Sequence, residues 1–368
     1  MCTSLIYSDS NEHPYLGRTL ELDTDEPWVI TYVPAGISFE SPNDDPEPFR
    51  YTASHGFLAV TAPGRMPTQD APLKPDDLKV IEGVNTAGLT FSLLAFPSSG
   101  GGSDVKPVDA IQATDLGSWI LAQFSTVGEV KAALAEQPVV LTRIAIIGDA
   151  EFPFHLVVHD REGGSIVIEW FKGEEHVYDN PVGVMTNGPT FPWHLTNLSN
   201  WTHLTNVDQS SNQFGSLSVH QPDSGIATAS LPGSNTSVGR FIRAVFYANF
   251  AEKVDDADGA LLTLARIMDN FDRPRGATVS PPADGGEGIA FQGITDNKGG
   301  LPTEFTCWTN LTDLDRQRFY LRTYGSFNYT SFDLVKLSAS KEPRAILAST
   351  LDAPGGDGTD ALLAGMSV

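Results

Sequence analysis

Short runs in which apolar and polar residues alternate recur along the chain, and longer stretches at helical spacing interrupt them. Cys2 to Tyr7 is a short, partly β-branched run closing on the polar SDSNEHP, the pattern of a strand leading into a turn. Ser54 to Thr61 and Leu89 to Phe96 read as further strands. A Pro/Asp-rich connection lies between them and the glycine-rich SSGGGSD follows, both placed at the surface. DLGSWILAQF is helical in pattern, and Thr126 with Glu129 three residues on forms a capping box before VKAALAEQ. The period then returns to two in FHLVVHD, SIVIEWF, EEHVYD and VGVMTN, the first two joined by REGG, which predicts an antiparallel meander.

Arg240 to Val254 and ALLTLARIMDNF carry apolar residues at helical spacing, Leu261, Leu264, Met268 and Phe271 among them. EFTCWTN, RFYLRTY and SFDLVKL, rich in aromatic and β-branched residues, predict a last block of strands. Strands, a helix pair, strands, a helix pair and strands imply two packed antiparallel sheets with helices outside, because every apolar face must be covered. The expected fold is therefore α+β, a four-layer αββα sandwich. One domain is expected over residues 2–368, with 194–230 long enough for an assembly arm and 343–368 a loosely held tail.

Composition narrows the function. With 23 basic and 46 acidic residues the formal charge is −23, spread over stretches such as TDEP and PDD, which repels nucleic acid and anionic lipid. No apolar run reaches the roughly 20 residues that span a bilayer, and no basic-then-apolar leader is visible, so the chain as written is read as cytoplasmic. Had a leader been removed ahead of Met1, the compartment would be periplasmic or extracellular. Two cysteines, Cys2 and Cys307, make no disulfide framework.

The eight histidines form no HExxH or Cys/His metal spacing. His155 and His159 share one face of a predicted strand about 13 Å apart, too far for one ion. No GxSxG elbow or Walker A loop is present. GGEG at 285–288 reads as a turn, and the NxS/T matches at Asn197 and Asn310 as chance. Cys2 is the outstanding candidate. Once Met1 is lost, one residue carries a thiol of pKa about 8.5 and an α-amine of about 8, so the amine can serve as the local acid–base group.

Four segments then fall in order along the chain: MCT with YLGRTLE at Tyr15 to Glu21, EGVNTAGL at Glu82 to Leu89, VMTNGPTF at Val184 to Phe191, and LPGSNTSVGRFIRAVFY at Leu231 to Tyr247. Together they resemble the choloylglycine hydrolase and penicillin V acylase family of N-terminal-nucleophile cysteine hydrolases. The resemblance implies hydrolysis of a linear, non-peptide amide through an acyl thioester on Cys2, without a cofactor. It implies Arg18 and Arg240 near the thiol, where positive charge favours thiolate, and residue 21 at the α-amine. Here Glu21 stands where the family has aspartate. Asn187 and Asn85 would donate to an oxyanion hole, and Leu20 and Leu22 would face the acyl group, beside the acidic Asp23, Asp25 and Glu26. A small acyl amide is the implied partner, and relatives imply a homotetramer. Penicillin V is the favoured substrate, with conjugated bile salts and acyl-homoserine lactones as alternatives. The outside reading is an inactive binding module on the same scaffold.

Overall fold

In the strand Phe154–His159, successive side chains enter different cores. Leu156 and Val158 join a cluster with the helical Leu116, Ile120 and Leu121, whereas Val157 joins one with Leu5, Val184 and Phe241. A strand sends neighbouring side chains to opposite faces, so a sheet with apolar residues at both parities must be covered on both sides. The same split separates Phe57 and Ala59 from Leu58 and Val60, and Ile166 and Ile168 from Val167. The computed structural model, described over residues 1–23, 27–42, 47–63, 74, 77–97, 109–144, 150–279 and 303–353, meets this requirement with two stacked sheets between helix pairs.

One sheet has eight strands in the order Glu174–Asp179, Ser165–Phe171, Phe154–His159, Thr90–Ala95, Leu78–Asn85, Phe57–Pro63, Val29–Val33 and Arg344–Leu347. The other has six: Val184–Met185, Cys2–Ser8, Pro14–Leu22, Phe305–Asp313, Arg318–Thr323 and Thr330–Asp333. Neighbours in both sheets pair antiparallel. Helices Leu116–Gln123 and Val127–Glu136 cover the larger sheet, and the Thr126–Glu129 capping box is formed. Helices Ser237–Phe250 and Ala257–Met268 cover the smaller one. Gly17 makes the close approach of the last helix possible: a Cβ there would stand 2.6 Å from Met268 Sδ and 2.8 Å from Leu264 Cδ1.

Several elements differ from expectation. VGVMTN leaves the meander, and its Val184–Met185 pairs with Cys2–Ser8 in the other sheet. SFDLVKL is strand only to Asp333, whose side chain accepts from Lys336 N and starts the short helix Leu334–Leu337. The expected loose tail begins with an ordered strand, because Arg344–Leu347 pairs with Val29–Val33. Within 194–230 a hairpin of Ser211–Phe214 and Leu217–His220 stands with every residue exposed. SSGGGSD, GGEG, Asp25 and Glu26 lie outside the described residues. Among the described residues no helix is long and apolar enough to cross a membrane.

Candidate active site

Cys2 opens its strand directly opposite Leu20, with Ser4 opposite Arg18. Paired residues share a face and alternate residues return to it, so Cys2, Arg18, Leu20 and Leu22 all turn toward the larger sheet. Arg18 Nη2 lies 3.4 Å from Cys2 Sγ and also donates to the Leu93 carbonyl. The guanidinium carbon sits 4.7 Å over the Trp308 ring. On its far side Arg18 Nε is 3.3 Å from Glu82 Oε2, with both side chains fully enclosed. Neither of those atoms makes a hydrogen bond, so the contact is one of charge. Burial pushes the Glu82 carboxyl up, and the adjacent Arg18 guanidinium opposes the rise and favours its charged form.

The nitrogen of Cys2 is held from the other direction. In this structure it is still the peptide nitrogen joined to Met1, and it stands in for the α-amine that loss of Met1 would free. It donates to Asn187 Oδ1 at 2.9 Å. Arg240 Nη2 donates to the same oxygen at 2.6 Å, while Nη1 donates to the Cys2 carbonyl and, at 2.8 Å, to Thr3 Oγ1. Two donors on Oδ1 fix the amide's orientation, and Asn187 Nδ2 donates to the Ala95 carbonyl at 2.7 Å. Burial draws the Arg240 guanidinium down to about 10, with the Glu21 charge foremost in opposing it.

Side chains from other elements anchor the backbone around Asn187. Ser237 Oγ, at the start of helix Ser237–Phe250, accepts from Asn187 N at 2.9 Å. His194 Nε2 donates to the Asn187 carbonyl at 2.8 Å, and burial lowers the His194 imidazole to about 4, leaving it neutral near pH 7. His155 Nε2 donates to the Thr186 carbonyl at 3.0 Å, and Glu169 accepts from Phe191 N at 3.0 and 3.1 Å.

Of the residues singled out from sequence, Cys2, Arg18, Asn187 and Arg240 are thus brought together, with Leu20 beside them. Leu22 is partly buried against the same core. Glu21 is not brought to the Cys2 nitrogen. It follows Leu20 and points to the opposite face, where Oε1 accepts from Thr306 Oγ1 at 3.3 Å and its charge reaches Arg240. Asn85 does not join the site either. Its Nδ2 donates to the Leu121 and Phe124 carbonyls at 2.9 and 2.7 Å, and its Oδ1 accepts from Ala87 N and Leu89 N at 2.9 and 3.0 Å. The EGVNTAGL segment supplies Glu82 instead. Sequence reading missed Glu82, Trp308, His155 and Glu169. A lone carboxylate inside an apolar strand was the available signal for Glu82 and Glu169. Among the described residues, no group of three or more His, Cys, Asp or Glu side chains is placed to hold a metal ion.

Two antiparallel sheets between helix pairs, with a residue-2 cysteine opening an inner strand and its thiol turned into the sandwich, define an N-terminal-nucleophile hydrolase fold. The family model of the linear amide C–N hydrolases, choloylglycine hydrolase family, matches residues 2–286, and the chain belongs to that family. It is 28% identical over 343 residues to the bile salt hydrolase/transferase of Lactiplantibacillus plantarum, covering 91% of this chain and 92% of that protein. In fold it resembles the C2A mutant of the conjugated bile acid hydrolase from Clostridium perfringens, with a TM-score of 0.76, 24% identity, and 94% and 96% of the two chains covered. It also resembles penicillin V acylase from Agrobacterium tumefaciens, with a TM-score of 0.70, 22% identity, and 94% and 90% covered.

Proposed function

We propose that Cys2, freed of Met1, is the nucleophile that cleaves a small acyl amide. The observation that carries this reading is that residue 2 is gripped at both reactive ends, Arg18 Nη2 at 3.4 Å from the sulfur and Asn187 Oδ1 at 2.9 Å from the nitrogen. The α-amine takes the thiol proton, and the thiolate, next to Arg18, adds to the amide carbonyl. The amine then returns the proton to the leaving nitrogen, the C–N bond breaks, and an acyl thioester remains. Water, losing a proton to the same amine, adds to the thioester. Sulfur departs with that proton and the acid is released.

Asn187 fixes the direction of the amine. The oxyanion role expected for it requires Nδ2 to turn from the Ala95 carbonyl to the substrate oxygen. Asn85 has no amide hydrogen left to share that role. Arg240 holds Asn187 Oδ1 and the Cys2 carbonyl, keeping the strand end in place.

From the sequence alone penicillin V is the slightly favoured substrate, with conjugated bile salts and acyl-homoserine lactones as alternatives. The relative that is 28% identical over 91% of the chain is a bile salt hydrolase/transferase, and this supports conjugated bile salts as the better reading. A panel of penicillin V, glycine- and taurine-conjugated bile salts and an acyl-homoserine lactone, scored by free-amine release against Cys2→Ala, tests both levels. Turnover that survives Cys2→Ala removes the nucleophile assignment. Preference for penicillin V reverses the substrate choice alone.

A further inference from the structure

The backbone of Asn187 is not held in place by its own sheet. Val184–Met185 pairs with Cys2–Ser8 only through Val184 with Leu5 and Met185 with Ser4, so ladder pairing stops two residues before Asn187. Beyond it, Thr186 O, Asn187 N, Asn187 O and Phe191 N are backbone groups outside any ladder, and buried groups of this kind need partners. Side chains supply all four: His155, Ser237, His194 and Glu169. Ser237 opens helix Ser237–Phe250 over the smaller sheet and His194 lies in the short helix Phe191–Asn197, its ring stacked on Phe241 of helix Ser237–Phe250, whereas His155 and Glu169 are opposite each other on paired strands of the larger sheet. They tie the segment across the interior of the sandwich.

His155 is well constrained. Both it and Glu169 are fully buried. A carbonyl oxygen only accepts, so His155 Nε2 carries a hydrogen toward Thr186 O, while Nδ1 faces Glu169 Oε1 at 3.2 Å. The Phe96 ring stacks on the imidazole at 5.1 Å and 12°, which sets its plane. The imidazole is hydrogen-bonded to the peptide next to Asn187 and not to Cys2, so it acts at one remove from the chemistry.

We propose that His155, oriented by Glu169, is a positioning residue for Asn187, holding the Thr186 carbonyl so that the Asn187 amide meets the Cys2 nitrogen. The inference rests on the reading of Cys2 as nucleophile. The alternative is a buried polar pair that merely fills the space between sheets. That would affect folding without acting through Asn187.

A double-mutant cycle separates the two, run on the full chain after removal of Met1. The readout is the alkylation rate of Cys2 by iodoacetamide, located by peptide mass, with kcat measured in parallel. His155→Leu should slow alkylation by about tenfold, as expected when a group that orients a reacting pair is loosened. Asn187→Ala should slow it comparably, and the double variant should be no slower than Asn187→Ala alone. His155→Gln, which keeps an N–H for Thr186 O, should recover most of the rate. If His155→Leu does not fold, the cycle is run with His155→Gln and Glu169→Gln, whose smaller losses must likewise vanish in the Asn187→Ala background. An equal loss in both backgrounds, or a wild-type rate in every His155 and Glu169 variant, overturns the proposal. Alkylation needs no amide substrate, so a wild-type protein that cleaves nothing on the panel counts against the hydrolase reading while the cycle still decides the role of His155.

Discussion

Asn85 and Asn187 each end an apolar β run and open a turn, yet the fold uses them in opposite ways. Asn85 closes its own turn: Oδ1 accepts from Ala87 N and Leu89 N, and Nδ2 ties down the Leu121 and Phe124 carbonyls at the end of helix Leu116–Gln123. Every donor and acceptor is consumed in satisfying nearby backbone, the ordinary work of an asparagine in a turn. At Asn187 the backbone is satisfied by Ser237, His194 and, one residue before, His155. Its side chain is thereby released from local duty and meets the Cys2 nitrogen, Arg240 and the Ala95 carbonyl. An asparagine is available for chemistry only where other groups have taken over the turn.

The largest effect that sharpens this contrast is expected at Asn187. Asn187→Ala should lower kcat by roughly 10² with a smaller change in KM, because the amide serves the reacting groups more than ground-state binding. A kcat equal to wild type would place Asn187 with Asn85 as a turn residue. Asn85→Ala should do the reverse. It leaves buried backbone groups without partners and should cost about 2 kcal/mol of stability in chemical denaturation. The folded fraction should keep kcat within about twofold of wild type. A kcat collapse with stability intact would instead place Asn85 in the reacting site.

The brace on Asn187 also has a pH signature. Burial holds the His194 imidazole at about 4, below its ordinary value, so the unfolded chain takes up a proton that the folded chain refuses. Stability from this group is present at neutral pH and is lost as pH falls from about 6.5 toward 4. Between pH 7 and 5 the loss should be between about 1 and 2 kcal/mol. Denaturation of His194→Gln, which keeps a donor for Asn187 O, should show a correspondingly shallower slope. Identical slopes would show that His194 does not titrate with folding.

The smallest effect is expected at Glu21. Its carboxylate lies on the face away from the Cys2 thiol and acts on Arg240 through charge, so Glu21→Gln should reduce kcat/KM by about tenfold or less. A loss as large as that of Asn187→Ala would restore direct contact between residue 21 and the amine.

The same contrast explains what could be read from sequence. The capping box at Thr126, the helices over Ser237–Phe250 and Ala257–Met268, and the layered order were legible because each follows a local period or cap. Pro14–Leu22 was identified only as a motif, since Gly17, Arg18 and Glu21 interrupt its apolar pattern. Those are the residues the fold needs there, for helix approach and for buried charge. The bend of SFDLVKL into a helix was hidden because Asp333 caps it from within a run of β-forming residues. Cys2, Arg18, Asn187 and Arg240 were legible through family motifs. A lone carboxylate in an apolar strand marked Glu82 and Glu169 as unusual, but their partners, and those of His155, were not legible, because partnership across the interior has no sequence period.

If Cys2 is the nucleophile, it acts through a free amine and a thiol on the same residue. Acid-quenched turnover followed by peptide mass analysis tests it most directly, on processed and Met1-retaining protein side by side. The expected result is the substrate's acyl mass on a peptide beginning at Cys2, and neither adduct nor turnover where Met1 remains. Full turnover with Met1 retained, or an acyl group on Cys307 instead, would contradict it.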